Sequence, residues 1–283
     1  MTGGNGLPAA GGPQDPNTIT KPCRWGTMTF NRHDSAIGRA LSLYGEFAEA
    51  ENRLMARFVG PGDTAVDVGA NVGTVTLFLA QAVGGGGRVH AFEPQPEIFH
   101  CLKNNVEMNG HGHVECLNAA AGAHDGTIEP PIVDYGAEGN FGALSFVGQG
   151  PGKIEVTTVD GLGLDRCRLI KIDVEGMEPD VLEGARATIR RFKLVVYTEN
   201  KKGERSAVVI EYFLERDYAL YWHFATFFRE DNFRKVETNV FGDTGDINML
   251  CLPPGEDAAA NLPRIAGPGA DWHADYTAWM EKT

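Results

Sequence analysis

The sequence predicts an α/β protein with a mostly parallel, doubly wound sheet and helices on both faces. Three observations carry this. Short buried apolar runs alternate with segments of helical period, a glycine-containing turn follows the first run, and acidic residues recur where runs end. Ligands of such sheets sit outside the carboxyl ends of the strands.

In chain order, residues 1–20 are rich in Gly, Pro and Asn and predict a flexible tail, and residues 21–60 are expected to form a helical extension. Residues 64–68 (Thr-Ala-Val-Asp-Val) read as the first strand, followed by a turn and a helix through Leu77, Phe78 and Ala82. Four glycines at 84–87 form a connector. Residues 88–93 give the second strand. Pro94 and Pro96 then open a helix with Ile98, Phe99, Leu102 and Val106 on one face and Gly110 at its end. Residues 114–117 are a third strand. Residues 169–173 and 194–198 are two more, separated by a helix with Val181, Leu182, Ala185 and Ile189. A late strand at 247–252 ends the main domain, 61–252. Residues 253–283 read as a tail in which Trp272, Tyr276 and Trp279 stand at helical spacing, predicting a short amphipathic turn docked on its own domain, with a subunit contact or a substrate lid as the alternative.

Composition narrows the function. With 283 residues, 42% hydrophobic and 22% charged, the chain is that of a globular protein. A net charge of −13 argues against nucleic-acid partners, which are bound largely through Lys and Arg on phosphates. No apolar run reaches the roughly 18 residues of a membrane span, so no membrane contact is expected. The first residues lack the basic start and apolar stretch of a secretory signal. The five cysteines are scattered and never in a C-x-x-C pair, a usage of reduced thiols that points to the cytoplasm.

Asp67-Val68-Gly69-Ala70-Asn71-Val72-Gly73 joins the first strand to its helix. A dinucleotide fingerprint needs glycine near 71 and 74, where this chain has Asn71 and Thr74, and no G-K-[ST] is present for a P-loop. The Asp67 carboxylate would repel a pyrophosphate. The cationic amine and sulfonium of S-adenosylmethionine suit it better. Glu93, 24 residues after Gly69, ends the second strand, where an acid can accept hydrogen bonds from both ribose hydroxyls.

VDVGANVG, AFEP, LNAAAG, TTVD and KIDVEG resemble, in order, the motifs of the FkbM-type S-adenosylmethionine-dependent methyltransferases, and YGEFAEAE (residues 44–51) is similar to the segment preceding that family's core. The resemblance covers about residues 30–252 and implies a Rossmann-like seven-stranded methyltransferase sheet. It implies cofactor contacts by Asp67, Gly69, Ala70, Asn71, Gly73 and Glu93. Asn118, Ala119 and Ala120 fall where many methyltransferases place an acid against adenine, implying backbone contact here.

A second acidic group follows. Strand alternation puts Lys171 and Asp173 on one side, with Glu175 beyond the strand end and Glu199 ending the next strand. Carboxylates converging on a cofactor mouth raise one another's pKa and can furnish a base, unless Lys171 simply pairs with them. Asp173 is the first choice of base, then Glu175, Glu199 and His223. These oxygens suit Mg²⁺ or Ca²⁺, but their spacing demands no metal and none is expected. The segment 122–152, with Tyr135, Asn140, Phe141 and Ser145, is expected to lie over the site and shape the acceptor pocket. The resemblance implies methyl transfer to a hydroxyl of a sugar or natural product. N-methylation of an amide or amine is the alternative, and a nicotinamide-dependent oxidoreductase the alternative of another class. The expected partner is a small-molecule acceptor, and a homo-oligomer stays open.

Overall fold

The computed structural model describes residues 15–144, 150, 152–201, 203–256 and 261–281. The chain starts with an antiparallel hairpin, β1 (Thr18–Cys23) and β2 (Gly26–Asn31), then two short helices, α1 (Ile37–Leu43) and α2 (Glu49–Met55). Part of the segment expected as a helical extension is therefore sheet. The local reason is legible: Thr27 and Thr29 alternate with Met28 and Phe30, which are buried, and alternation is the strand period. Residues 1–14 of the expected tail lie outside the described residues, whereas Thr18 to Thr20 belong to β1. Asn105 fastens the hairpin down: its Oδ1 accepts from Thr29 N at 2.6 Å, and its Nδ2 donates to Thr29 O and Val72 O.

The main domain runs β3 (Thr64–Val68), α3 (Thr74–Val83), β4 (Arg88–Phe92), α4 (Pro96–Met108) and β5 (Val114–Leu117). Three short strands, β6 (Ala120–Ala121), β7 (Gly126–Ile128) and β8 (Ile154–Thr157), make a small side sheet ordered β6-β8-β7. Then come β9 (Leu169–Ile172), α5 (Glu178–Gly184), α6 (Arg186–Phe192), β10 (Val195–Glu199), α7 (Glu204–Leu214), β11 (Ala219–Thr226), β12 (Gly245–Leu252) and α8 (Trp272–Met280).

The central sheet has seven strands in the order β11-β12-β10-β9-β3-β4-β5, parallel except for β12, which is antiparallel to both β10 and β11. The chain works outward from β3 through β4 to β5, then restarts at β9 on the other side of β3. This reversal makes the β3–β9 junction the switch point, where a crevice opens. Alternate residues feed two cores. Val66, Ile170, Val196 and Trp222 pack with Val181 and Phe213 on one face, and Ala65, Leu169, Tyr197 and Leu250 pack with Met55 and Leu79 on the other.

Several elements were not read from sequence as they stand, namely the side sheet β6-β8-β7, α7, β11 and the C-terminal helix. The strand β11 carries Leu220, Trp222 and Ala225 inward, but its aromatic content hid the alternation. Residues 272–280 form a full helix docked on β11: Trp222 Nε1 donates to Asp275 Oδ2 at 2.8 Å, and Trp272 stacks on Phe224 with ring centroids 5.5 Å apart. Among the described residues no helix is long and apolar enough to cross a membrane.

Candidate active site

A cleft of about 1050 Å³, counting its open mouth, lies over the switch point. Its floor is the loop after β3. Gly69, Asn71 and Gly73 all have positive φ (+80°, +50° and +95°), and Gly69 N and Ala70 N donate to Phe92 O at 3.1 and 2.8 Å. A Cβ on Gly69 would land on the Asp173 carbonyl oxygen, so glycine is required by the end of β9 packing against the loop.

Glu93, just past β4, is 3% exposed. Its two carboxylate oxygens accept backbone N–H bonds from Asn71 and Gln95, each 2.9 Å long. Burial pushes its pKa up to about 7 against those two bonds. Each oxygen keeps a lone pair, so the carboxylate can still receive hydroxyls from the cleft.

Of the nine residues expected at a cofactor, Gly69, Ala70, Asn71, Glu93, Ala119 and Ala120 line the cleft, while Asp67, Gly73 and Asn118 do not. Asp67 is fully buried beneath the loop. Thr76 Oγ1 donates to its Oδ2 at 2.6 Å, and Lys171 Nζ stands 3.5 Å from its Oδ1. Lys171 in turn donates to Gly69 O at 2.8 Å, so the Asp67–Lys171 pair braces the loop from below. Gly73 starts α3 in a left-handed conformation beside Leu102. Asn118 Nδ2 donates to Glu93 O and Pro94 O, fixing the turn that holds Glu93.

Asp173, Glu175 and Glu199 converge at the same mouth, with oxygens within 4.8 Å of one another. Both flanking lysines are engaged with them. Lys171 Nζ is 3.5 Å from Asp173 Oδ2, and Lys201 Nζ is 2.8 Å from both Glu175 Oε2 and Glu199 Oε1. Burial first, then the Asp173 and Glu175 charges, push Glu199 up to about 9 against the pull of Lys201. Burial also raises Glu175. Lys171 stays charged despite burial because the Asp173 and Asp67 carboxylates beside it, and the more distant Glu51 charge, favour its protonated form. Three oxygens this close would suit a hard cation, but Lys201 already bridges two of them.

His223 is not part of this mouth. Its Nδ1 lies 2.7 Å from Tyr197 Oη, it does not line the cleft, and burial lowers its pKa to about 4. Its expected role as a base has no geometric support, because the β10–β12–β11 pairing carries it sideways along the sheet.

The cleft also holds acids that sequence reasoning missed, Glu51 of α2 and Asp246 of β12. Asn248 Nδ2 donates to Glu51 Oε1 at 3.1 Å. Burial, then Asp246 and Asp173, raise Glu51 well above the ordinary carboxylate value, and burial, then Asp173, pushes Asp246 up to about 7. Glu51 closes the segment Tyr44–Glu51, which was a signal; Asp246 had none. The 122–152 segment does reach the cleft, through Asn140, Gly142, Ala143 and Leu144. It is strapped to the Glu93 turn: Gln95 Nε2 donates to Phe141 O at 3.0 Å, and Tyr135 Oη donates to Gln95 Oε1 at 2.8 Å. Ser145 lies outside the described residues.

Residues 67–234 match the family model described as Methyltransferase FkbM domain. The chain is 28% identical over 142 residues to Methyltransferase 1 of Beauveria bassiana, a match covering 42% of this chain and 57% of that protein. It is 41% identical over 58 residues to a protein-L-isoaspartate O-methyltransferase of Aeropyrum pernix, covering 20% and 22%. The chain thus spans little more than half the length of the first of these relatives and less than a quarter of the second. Among solved structures, it resembles a methyltransferase FkbM from Methylobacillus flagellatus with a TM-score of 0.46 and 17% identity over 71% of this chain and 50% of that one.

Proposed function

The chain belongs to the methyltransferase FkbM domain family, and from that premise we propose that it methylates a hydroxyl of a small molecule, a sugar or natural product, with S-adenosylmethionine as donor. The carrying observation is the meeting, in one cleft, of the buried Glu93 carboxylate and the Asp173–Glu175–Glu199 group. The residues fit such a donor. Glu93 has lone pairs left for two ribose hydroxyls, Ala119 and Ala120 leave room beside it, and an acidic cleft suits a positively charged group. When bound, S-adenosylmethionine supplies a methyl group activated by its attachment to a sulfonium.

The remaining work belongs to side chains. An acceptor hydroxyl must be aligned and must lose a proton. Glu199, whose pKa burial and the Asp173 and Glu175 charges raise and whose carboxylate is held by Lys201, serves to orient rather than to deprotonate. Asp173, at the end of β9 beside the glycine loop, is the proton acceptor, and Lys171 holds its carboxylate in place at 3.5 Å. The loop after β3 lacks the glycines of a dinucleotide site, which disfavours the oxidoreductase alternative.

The test has two steps. Calorimetry of the full chain with S-adenosylmethionine and with NAD should show binding of the first and not the second. Mass spectrometry of a mixture of hydroxylated small molecules, incubated with methyl-labelled donor, should show the gain of one methyl on oxygen. Binding of NAD alone overturns the reading. A methyl found on nitrogen moves it to the N-methylation alternative.

A further inference from the structure

Within the methyl-transfer reading just given, on which this inference rests, the charges of the cleft leave one pair of acids over. Asp173 has Lys171, and Glu175 and Glu199 share Lys201. Glu93 takes two backbone N–H bonds. Glu46 and Glu49, which precede Glu51 in its own segment, are met by Arg24, and Glu49 by Arg53 as well. Glu51 differs. It is 5% exposed and lines the cleft, and Asn248 is its hydrogen-bond donor, at Oε1. Among the described residues no Lys, Arg or His stands within ion-pair distance of it, and no donor reaches its Oε2. Asp246 lines the same cleft, half-buried, its carboxylate without hydrogen bond or ion pair among the described residues.

A buried Glu51 and a half-buried Asp246, with no cation in contact, are held at a cost that either a proton or a positive group from outside relieves. A second, separate feature points to the same kind of ligand. Phe47 and Phe227 line the cleft together with the two acids, their rings tilted against each other at a centroid distance of 4.9 Å. Aromatic faces beside carboxylates receive alkylammonium groups well. Position separates this corner from the ribose end. Asp246 lies on β12 and Glu93 just past β4, four strand spacings apart in the sheet order, roughly 19 Å.

We propose that Glu51 and Asp246, walled by Phe47 and Phe227, bind an ammonium group carried by the acceptor. The methylated molecule is then an amino-hydroxy compound, such as an amino sugar, whose amine is the handle and whose hydroxyl receives the methyl. Lys171, Asp173, Glu175 and Lys201 are the other charges facing this pair, and the two lysines are already engaged by the neighbouring acids.

The experiment uses the full chain saturated with S-adenosylhomocysteine, titrated by ligand-observed NMR with glucosamine and with glucose as its neutral counterpart. Glucosamine is expected to bind at least about tenfold more tightly. Glu51→Gln and Asp246→Asn, both near-isosteric, should each cut that preference below about threefold while leaving the affinity for S-adenosylhomocysteine unchanged. Equal binding of the two sugars, binding of neither, or a preference that survives both substitutions overturns the proposal. A parallel loss of S-adenosylhomocysteine affinity in both variants overturns it too, since the acids would then serve the cofactor. Failure of the unsubstituted chain to bind S-adenosylhomocysteine at all would instead sink the methyl-transfer reading, which separates the two failures.

Discussion

The two ends of the cleft treat a buried carboxylate in opposite ways. Glu93 sits at the end of β4 with both oxygens met by N–H groups of its own neighbourhood, Asn71 and Gln95, so its position is set before any ligand arrives. Glu51 and Asp246 come from α2 and β12, with Asn248 as a single donor between them and no cation at ion-pair distance among the described residues. Between the ends stand the lysine-compensated acids, Asp173, Glu175 and Glu199. The difference teaches that burial alone does not define a binding carboxylate. A carboxylate satisfied by backbone is a pre-organised acceptor for neutral hydroxyls, whereas one left without a cation in contact holds a proton unless a positive group meets it.

Substitutions can break or sharpen this contrast. The largest effect is expected at the shared floor. Gly69→Val drives a β-branched side chain into the Asp173 carbonyl at a φ of +80°, and should cost roughly 3 kcal/mol or more of stability, read as a lowered denaturant midpoint. The cause is the β9 contact, so the loss should appear without any cofactor present. If stability is unchanged and only cofactor affinity falls, the floor has been misassigned.

Next comes the middle of the cleft. Asp173→Asn should slow methyl transfer by about 10²-fold or more while the thermal midpoint stays within a few degrees. A variant that turns over normally would mean that alignment alone carries the reaction, as for a nitrogen acceptor. At the cofactor end, Glu93→Ala should weaken S-adenosylmethionine binding by roughly 1.5–3 kcal/mol in calorimetry, the range for hydrogen bonds involving a charged group. The same substitution should leave the glucosamine-over-glucose preference intact, since Glu93 lies at the other end.

A smaller effect sharpens the acceptor end. Asp246 ionises near 3.8 when unfolded and near 7 when folded, because burial and Asp173 oppose its charge. The folded chain therefore binds that proton more tightly. The resulting stability is full below about pH 4 and lost as pH rises through about 7. Asp246→Asn removes the loss, so its midpoint should exceed that of the parent by about 5 °C or more at pH 8 and by nothing at pH 4. An equal shift at both values would show that the carboxylate does not titrate as its burial implies. The smallest effect expected is that of a chelator: with Lys201 bridging Glu175 and Glu199, EDTA should change turnover less than twofold.

Much of the site was readable because it is built from contiguous sequence. The run from Asp67 to Gly73 announces a strand, a turn and a helix. Glu93 and Asp173 are acids at the ends of apolar runs, and a strand end in a parallel sheet is a cleft position. What misled was direction. Asp67 and Gly73 belong to the same motif as Gly69 and Asn71, but their contacts run into the core, to Lys171, Thr76 and Leu102. His223 looked chemically suited, but Tyr197 engages it at the side of the sheet.

The sequence by itself determined β3, β4, β5, β9, β10 and β12, the helices that follow β3 and β4, and the acid Glu93 at the end of β4, because periodicity and motif spacing are local properties. Only the tertiary structure decided which acids share the cleft and which are compensated. Asn248 meets Glu51 across 197 residues of chain, through an antiparallel strand inserted between β10 and β11. No local pattern encodes that meeting. It follows from strand order and helix packing, and these are fixed by burial of the whole apolar surface at once.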